Sequence, residues 1–328
     1  MNHLQILASG PAAPLTHLVA LPNKLVREEG GSVSRAVITA ALNLHLLAGL
    51  LERVPSGRAY VEEVARDGGK LMFDHGAMRT VALSEMGELP AGQAAITRVL
   101  EPMGYVCTHT YPMPRLKMTG RSYTHRDFPE DLPQFFVSEL HPEHFTHAFQ
   151  DAVRRVTSAS TDPLAAGDQE LLATLKEKGW LPFEQAATLL PKLIACFTRR
   201  HGVPCLADYE TLLAESAEMA WIATEGNAFN HATDRVTSLD DVVTRQRALG
   251  QRVKDDIEVS ASDRVRQTAL HADPVMRDFL GEDGTLHQRE VPGSFFEFIQ
   301  RTALPGESRL DLAFDTNNAQ GIFKMTAA

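Results

Sequence analysis

The sequence is poor in cysteine and lacks long apolar runs, and each absence argues against a class of protein. Its three cysteines, Cys107, Cys196 and Cys205, form no C-x-x-C pair and are too few for a disulfide framework. No stretch of about 18 or more apolar residues is present, which argues against a membrane span. The N-terminal residues lack the basic region and compact apolar core of a secretory signal. We therefore expect a protein of the reducing cytoplasm.

Basic clusters and several common catalytic motifs are also missing. The 328 residues carry 32 Lys and Arg against 42 Asp and Glu, a formal net charge of -10, and no basic run offsets this excess. Such a charge disfavours nucleic acid or an anionic membrane as a partner. No H-E-x-x-H, G-x-S-x-G or Walker sequence occurs, so the chemistry of those motifs is not indicated. A small-molecule partner remains the expectation, and the sequence does not determine an oligomeric state.

The first half of the chain changes between helical and strand-like patterns. In residues 34–54, apolar side chains recur at helical spacing, which predicts an amphipathic helix. This helix should begin near Ser32 or Ser34 and end at Pro55. The patterns that follow have the order strand, helix, strand, strand, strand. The predicted elements of this βαβββ unit are 70–83, 91–104, 105–113, 115–125 and 133–140.

A similar order returns after a middle segment, 150–219, that is helix-like and has few β-branched runs. A helix is predicted over 238–256, with Ser238 as its N-cap. The strand-like segments around it are 227–237, 264–280 and 285–304. We predict an α+β fold in which duplicated βαβββ modules form a metal cleft, with added helical segments. The predicted organisation is a single catalytic domain, 1–328, divided into a first module (60–150), a helical connector (151–219) and a second module (220–328).

One motif occurs twice in the chain. Residues 73–79 and 229–235 both read F-[DN]-H-x-x-x-R, and each segment opens one predicted module. Each module also ends with Phe-Phe and a nearby glutamate, which is Glu139 in the first module and Glu297 in the second. Two matches in the same order indicate an internal duplication.

The first copy of the motif has a pattern of alternate residues. Phe73, His75, Ala77 and Arg79 share one parity within the predicted strand 70–83. Side chains of one parity point to one face of a strand. We therefore expect a mostly apolar face that also carries a histidine and an arginine.

Duplicated modules can pair about a pseudo-twofold axis, which would bring His75 and His231 together across a shared cleft. Glu297 lies on an otherwise apolar strand, and a metal ion would be one partner for a buried carboxylate. Two imidazoles and one carboxylate suit Fe(II), with positions left for substrate and oxygen, and they also suit catalytic zinc. The ligand types do not distinguish these metals. Glu139 is an additional candidate ligand.

These motifs resemble those of a known family. The segments FDHGAMRTV, PRLKMTGRSYTH, FPEDLPQFFVSEL and FNHATDRV, with the strand of Glu297, resemble the 2-oxoadipate dioxygenase/decarboxylase family over most of residues 35–325. That family is similar in fold to vicinal-oxygen-chelate proteins such as glyoxalases. The resemblance implies that His75, His231 and Glu297 hold Fe(II), with Zn or Ni as the alternatives.

The resemblance also implies a reaction and its substrate contacts. The family's reaction converts 2-oxoadipate and O2 into 2-hydroxyglutarate and CO2, a step of lysine degradation. Arg79 would serve substrate binding and catalysis by holding the far carboxylate of a 2-oxo diacid in a bidentate fork. A substrate-contacting segment of the family falls on 317–323, where the candidate contacts Asn317 and Asn318 differ from the family's pattern.

Two other functions are compatible with the same residues. A glyoxalase-like isomerase or hydrolase could use Zn or Ni at the His-His-Glu site, because one fold supports many chemistries. A non-catalytic protein could instead bind a small ligand, although an open metal position would then have no use. Metal analysis and oxygen dependence distinguish these functions from an oxygenase.

Overall fold

The structure is a computed structural model and describes residues 1–315. The candidate substrate contacts Asn317 and Asn318 lie outside the described residues. Short 3-10 turns occur at Gly10–Ala12, Pro114–Leu116 and Pro142–His144. The α-helices of the described residues are α1 (His3–Leu7), α2 (Leu15–Leu18), α3 (Asn23–Val26), α4 (Arg35–Arg53), α5 (Pro55–Arg66), α6 (Ala94–Leu100), α7 (His147–Thr157), α8 (Ala166–Lys178), α9 (Phe183–Ala195), α10 (Leu206–Glu215), α11 (Ala217–Glu225) and α12 (Leu239–Ala248).

The strands form one large sheet and two small ones. The strands of the described residues are β1 (Ser32–Ser34), β2 (Phe73–Val81), β3 (Tyr105–Met113), β4 (Met118–His125), β5 (Gln134–Leu140), β6 (Trp180–Pro182), β7 (Phe229–Arg235), β8 (Glu258–Val259), β9 (Val265–Ala269), β10 (Pro274–Leu280), β11 (Leu286–Pro292) and β12 (Phe295–Arg301). β1 pairs with β6, and β10 pairs with β11 as a hairpin. The other eight strands form a sheet in the order β3-β4-β5-β2-β7-β12-β9-β8.

The large sheet contains two βαβββ units arranged symmetrically. The first unit is β2-α6-β3-β4-β5, and the second is β7-α12-β8-β9-β12, interrupted by the hairpin β10–β11. From the centre outwards, each unit orders its strands first, fourth, third, second, and β2 pairs with β7 in antiparallel orientation. This order confirms the predicted α+β class with duplicated modules. The division of the chain at 60–150, 151–219 and 220–328 stays a prediction.

Helix α4 is the centre of the helical layer. It begins at Arg35, at the second of the two starts that the sequence allows, because the hydroxyl of Ser34 accepts a hydrogen bond from the backbone N–H of Val37. The helix is long and apolar enough to cross a membrane by length and composition alone. However, 78% of its apolar window is buried in the protein, where it packs against α1, α5, α9 and β7. It is therefore placed as the core helix of a folded domain.

Helix α12 is shorter than the sequence pattern predicts. Ser238 caps it through the backbone N–H of Asp241, but the helix ends at Ala248 rather than near 256. Gly250 follows with a φ of +79°, a left-handed conformation that ends helices. The charged residues beyond it continue the composition of the helix, which is why the pattern overestimates its length.

Gly76 in β2 leaves space that the ring of Phe229 occupies. A Cβ atom at Gly76 would lie 2.3 Å from Cζ of Phe229, whose ring is packed against Phe73 and Phe135. We expect Gly76→Ala to lower the free energy of unfolding by about 1–3 kcal/mol, the usual cost of overpacking. Gly49 in α4 is the matched control because its Cβ would meet no atom within 4 Å. Urea unfolding of both alanine variants measures the difference, and equal stabilities would contradict this packing.

Candidate metal centre

Three side chains from the two modules meet at the centre of the sheet. His75 lies on β2, His231 on β7 and Glu297 on β12, and all three are buried. The two Nε2 atoms are 3.4 Å apart, and Oε2 of Glu297 lies 3.1 Å from Nε2 of His75 and 3.3 Å from Nε2 of His231. Within residues 1–315, this is the one group of three or more potential ligand residues gathered closely enough to share an ion. The structure therefore brings the three predicted ligands together.

A β-bulge at each motif aims the histidines. Where β2 pairs with β7, the register shifts by one residue at Asp74 on one strand and at Asn230 on the other. An extra residue in a bulge redirects the side chains on either side of it. Phe73 consequently packs with Phe229 in the main hydrophobic core, whereas His75 faces the cleft. The prediction that Phe73 and His75 share one strand face was wrong, because uniform alternation does not hold across a bulge.

The bulge residues also fix the orientation of both imidazoles. Nδ1 of His75 donates to Oδ1 of Asp74 at 2.9 Å, and Nδ1 of His231 donates to Oδ1 of Asn230 at 3.2 Å. With these hydrogens on Nδ1, each Nε2 atom is the nitrogen that faces the other ligands. Such outer partners set the tautomer and angle of histidines that bind metals.

The pKa values of the two histidines shift in opposite directions. Burial would lower the pKa of His75, but hydrogen bonds with Asp74 and Glu297 outweigh it and raise that pKa. Burial lowers the pKa of His231 to about 3, so this imidazole is neutral at neutral pH. Burial would raise the pKa of Glu297, but the imidazoles of His231 and His75 and the hydroxyl of Thr233 keep it lowered. A divalent cation binds an imidazole nitrogen that carries no proton, so it would compete with a proton for Nε2 of His75.

The surroundings of Glu297 are suited to a cation. Its side chain is fully buried, and Oε2 accepts a hydrogen bond from the hydroxyl of Thr233 at 2.7 Å. Its Oε1 has no hydrogen-bond partner among residues 1–315. A buried acceptor without a donor is costly, and a cation would compensate for it. The three facing atoms lie 3.1–3.4 Å apart, a spacing compatible with ligand bonds of about 2.1 Å to one ion. This donor set suits Fe(II) or Zn(II).

A phenylalanine occupies the place of a fourth ligand. Strand register shows that Phe136 in β5 holds the position that Glu297 holds in β12, because each pairs with the second residue after the motif histidine. The two Phe-Phe sequences are therefore offset by one residue, and Phe136 corresponds to Glu297 rather than to Phe296. Glu139 does not meet the three ligands; it pairs with Arg121 at 3.0 Å instead.

The two histidines line a cavity, and Glu297 lies buried behind them. The empty space in it is about 420 Å³, including the solvent at its open side. The residues that line it, besides His75 and His231, are Ala77, Met78, Arg79, Phe136, Ser138, Asn230, Gln267, Phe314 and Asp315. The wall combines apolar surface with a few polar groups, which permits both exclusion of water and orientation of a ligand.

Arg79 provides a positive charge in this wall. It is 1% exposed, and its guanidinium lies over the indole of Trp221 at 5.1 Å. Burial lowers the pKa of Arg79 to about 10, although the negative charge of Glu218 acts to raise it. The side chain therefore remains protonated at neutral pH. Its counterpart in the second motif, Arg235, is partly exposed and donates to the backbone oxygen of Glu130. The two motif arginines have therefore diverged.

Sequence reasoning missed the residues that surround the ligands. Asp74 and Asn230 are the variable [DN] position of the repeated motif, and their place directly before each histidine was the available signal. Phe314 approaches from the far end of the chain, and its ring lies 4.8 Å from the ring of His75. No pattern in the sequence indicates this contact, because it depends on how residues 302–315 fold back over the sheet.

A family model and a curated relative point to the same family. A family model described as 2-oxoadipate dioxygenase/decarboxylase matches residues 50–324. The chloroplastic 2-oxoadipate dioxygenase/decarboxylase of Arabidopsis thaliana is 24% identical in an alignment 311 residues long, and the match covers 84% of this chain and 74% of that protein.

Solved structures share the fold. A glyoxalase-superfamily protein from Ralstonia eutropha JMP134 has a TM-score of 0.90 and 52% identity, over 95% of this chain and 98% of that one. The hydroxyglutarate synthase of Oryza sativa, solved in complex with 2-oxoadipate, has a TM-score of 0.69 and 20% identity, over 94% of this chain and 95% of that one. At that identity, the second likeness concerns the fold alone.

Proposed function

This chain belongs to the 2-oxoadipate dioxygenase/decarboxylase family, and we propose that it is an Fe(II)-dependent enzyme that converts 2-oxoadipate, or a similar 2-oxo diacid, and O2 into 2-hydroxyglutarate and CO2. The observation that carries the proposal is the convergence of His75, His231 and Glu297 in a buried cleft that also contains Arg79. The 2-oxo acid and O2 are its proposed partners, and the cytoplasm is its proposed location.

The ligand set suits oxygen chemistry. Iron bound by His75, His231 and Glu297 would supply the redox chemistry that O2 activation requires, and three protein ligands leave positions for a chelating substrate. Phe136 supports this function because an apolar ring stands where a fourth protein ligand would close one position. Asp74 and Asn230 hold the two imidazoles so that both Nε2 atoms remain directed at the ion.

The other cavity residues would bind and orient the substrate. Arg79 remains protonated in the buried wall, so its guanidinium is suited to the far carboxylate of a diacid. The aromatic stack of Trp221 under the guanidinium limits its movement and thereby the position of that carboxylate. Phe136 and Phe314, whose rings are 5.1 Å apart, reduce the access of water to the reacting end.

We expect 2-oxoadipate to drive O2 uptake by protein loaded anaerobically with Fe(II). An oxygen electrode measures O2 uptake across a panel of 2-oxo mono- and diacids. With 2-oxoadipate, the amounts of CO2 and of 2-hydroxyglutarate formed should each equal the amount of O2 consumed. Protein loaded with Zn(II) is the control and should consume no O2. Absence of uptake with every 2-oxo diacid of four to seven carbons would contradict the oxygenase function. Turnover by Zn- or Ni-loaded protein without O2 would instead favour an isomerase or hydrolase.

A further inference from the structure

Arg301, at the end of β12, connects two parts of the molecule through one guanidinium. Its side chain is completely buried. Nε and Nη2 donate to the carboxylate of Asp74 at 3.0 and 2.9 Å. Nη1 donates to the backbone carbonyl oxygens of Asp311 and Ala313 at 2.8 and 2.9 Å. The same side chain thus binds β2 and residues 311–315, which we call the covering segment.

Asp74 extends this contact to the metal centre. Its side chain is 1% exposed and accepts the Nδ1 hydrogen of His75, the arrangement in which a carboxylate orients a histidine that binds metal. A carboxylate at this depth needs a compensating positive charge, and Arg301 provides it at 2.9 Å, with Arg235 farther away at 3.7 Å. His231 is supported differently, because its neighbour Asn230 is neutral and requires no counter-ion. The buried ion pair therefore supports His75.

The covering segment closes one side of the cavity above His75. The ring of Phe314 lies edge-on to the imidazole of His75 at 4.8 Å. The guanidinium of Arg301 lies over the Phe314 ring, 5.0 Å from its centre. The backbone N–H of Phe314 donates to the hydroxyl of Tyr111 at 3.0 Å. In the middle of the segment, the side-chain amide of Gln134 donates to the carbonyl oxygen of residue 312 at 3.2 Å. The segment is thus attached beside the ligand that Asp74 orients.

We propose that Arg301 is a positioning residue that couples metal binding at His75 to closure of the covering segment. The inference rests on the proposed function, in which His75, His231 and Glu297 hold an ion. If the segment leaves, Arg301 loses two carbonyl acceptors and water reaches its ion pair with Asp74, so His75 is less firmly oriented. If an ion fixes His75, then Asp74 and Arg301 are fixed with it, and the segment meets donors already in place. The two effects are reciprocal in free energy.

Hydrogen exchange of the wild-type chain tests this coupling directly. We expect Fe(II), added under argon, to slow exchange of the backbone amides of Ala313 and Phe314 by about tenfold or more, because closed segments exchange only when they open. The amides of the hairpin β10–β11 are the internal reference, since these strands lie outside the eight-stranded sheet. Their exchange should remain nearly unchanged, which separates local closure from general stabilisation.

A pair of variants separates coupling from attachment of the segment. Arg301→Lys keeps the charge but removes the planar fork that bridges Asp74 and the two carbonyls. We expect it to weaken Fe(II) binding by about tenfold or more in calorimetry and to abolish the Fe(II)-dependent slowing. Arg264→Met is the control, because Arg264 holds the segment through the carboxylate of Asp311 at 2.8 Å. Without the ion, Arg264→Met should speed the exchange of the Ala313 and Phe314 amides. Added Fe(II) should still slow their exchange, as it does in the wild type.

The outcomes distinguish the coupling from the proposed function. If wild-type protein does not bind Fe(II), both the metal centre and the coupling are wrong. If Fe(II) binds tightly while exchange at Ala313 and Phe314 stays the same, the centre stands and the coupling is wrong. The coupling is also wrong if Arg301→Lys retains both the wild-type affinity for Fe(II) and the slowing of exchange by Fe(II). The wild-type measurement decides the matter even if Arg301→Lys fails to fold.

Discussion

Glu297→Gln is expected to lose tight metal binding and turnover while the chain still folds. Glutamine has the size of glutamate and can still accept from the hydroxyl of Thr233, but it brings no negative charge to the two imidazoles. Removing an outer-shell partner typically costs about 10–100-fold in metal affinity, so loss of a direct ligand should cost at least about 100-fold. Calorimetry with Fe(II) under argon measures the affinity, and oxygen uptake measures turnover.

The matched control for this variant is Glu139→Gln. Glu139 ends the first module as Glu297 ends the second, but its carboxylate binds Arg121 and the backbone N–H of Gln93 rather than the cleft. Its replacement should leave Fe(II) affinity within about twofold of wild type, as for a substitution away from the site. Wild-type affinity in Glu297→Gln, or an equal loss in both variants, would remove Glu297 from the metal centre. Thermal unfolding without metal confirms that both variants are folded.

Arg79→Met is expected to affect the diacid substrate far more than the metal. Methionine retains much of the length of the side chain and fills the apolar space beside Trp221, but it cannot bind a carboxylate. A bidentate pair with two charged hydrogen bonds contributes about 3 kcal/mol, so kcat/KM for 2-oxoadipate should fall by roughly 100-fold. Fe(II) affinity should change by less than about threefold, because Arg79 contributes no ligand atom.

A substrate without the far carboxylate provides the control for Arg79. The straight-chain 2-oxo monoacid of six carbons has no group for the guanidinium, so its kcat/KM should be low in wild type and little changed by Arg79→Met. The ratio of the two substrates' kcat/KM values therefore measures recognition of the far carboxylate. If both substrates lose activity equally, Arg79 supports the fold of the cavity rather than the diacid.

The two halves of the protein share an architecture but not their chemistry. The F-[DN]-H bulge directs one histidine from each half into the cleft. The equivalent positions on the last strands then differ, because Glu297 offers a carboxylate where Phe136 offers an aromatic ring. The charged support also differs, since Asp74 is paired with Arg301 and Asn230 is neutral. A symmetric scaffold thus holds an asymmetric site with open positions.

The sequence by itself determined the order of the elements in the first βαβββ module, the duplication of that module and the two histidines. These features are local, because helical and strand periodicities and the repeated motif depend on residues close together in the chain. The start of α4 near Ser34 and the strand Tyr105–Met113 could be predicted for the same reason. The choice of Glu297 over Glu139 came from the family resemblance rather than from the pattern itself.

The tertiary structure alone decided which side chains surround those histidines. An offset of one residue puts a side chain on the other face of a strand, and the register shows that the two Phe-Phe sequences are offset in this way, so that Phe136 holds the position of Glu297. The bulge at Asp74 moved Phe73 into the core for the same reason. The ion pair of Asp74 with Arg301 joins residues 227 positions apart, and such contacts depend on the paired sheet rather than on any local pattern.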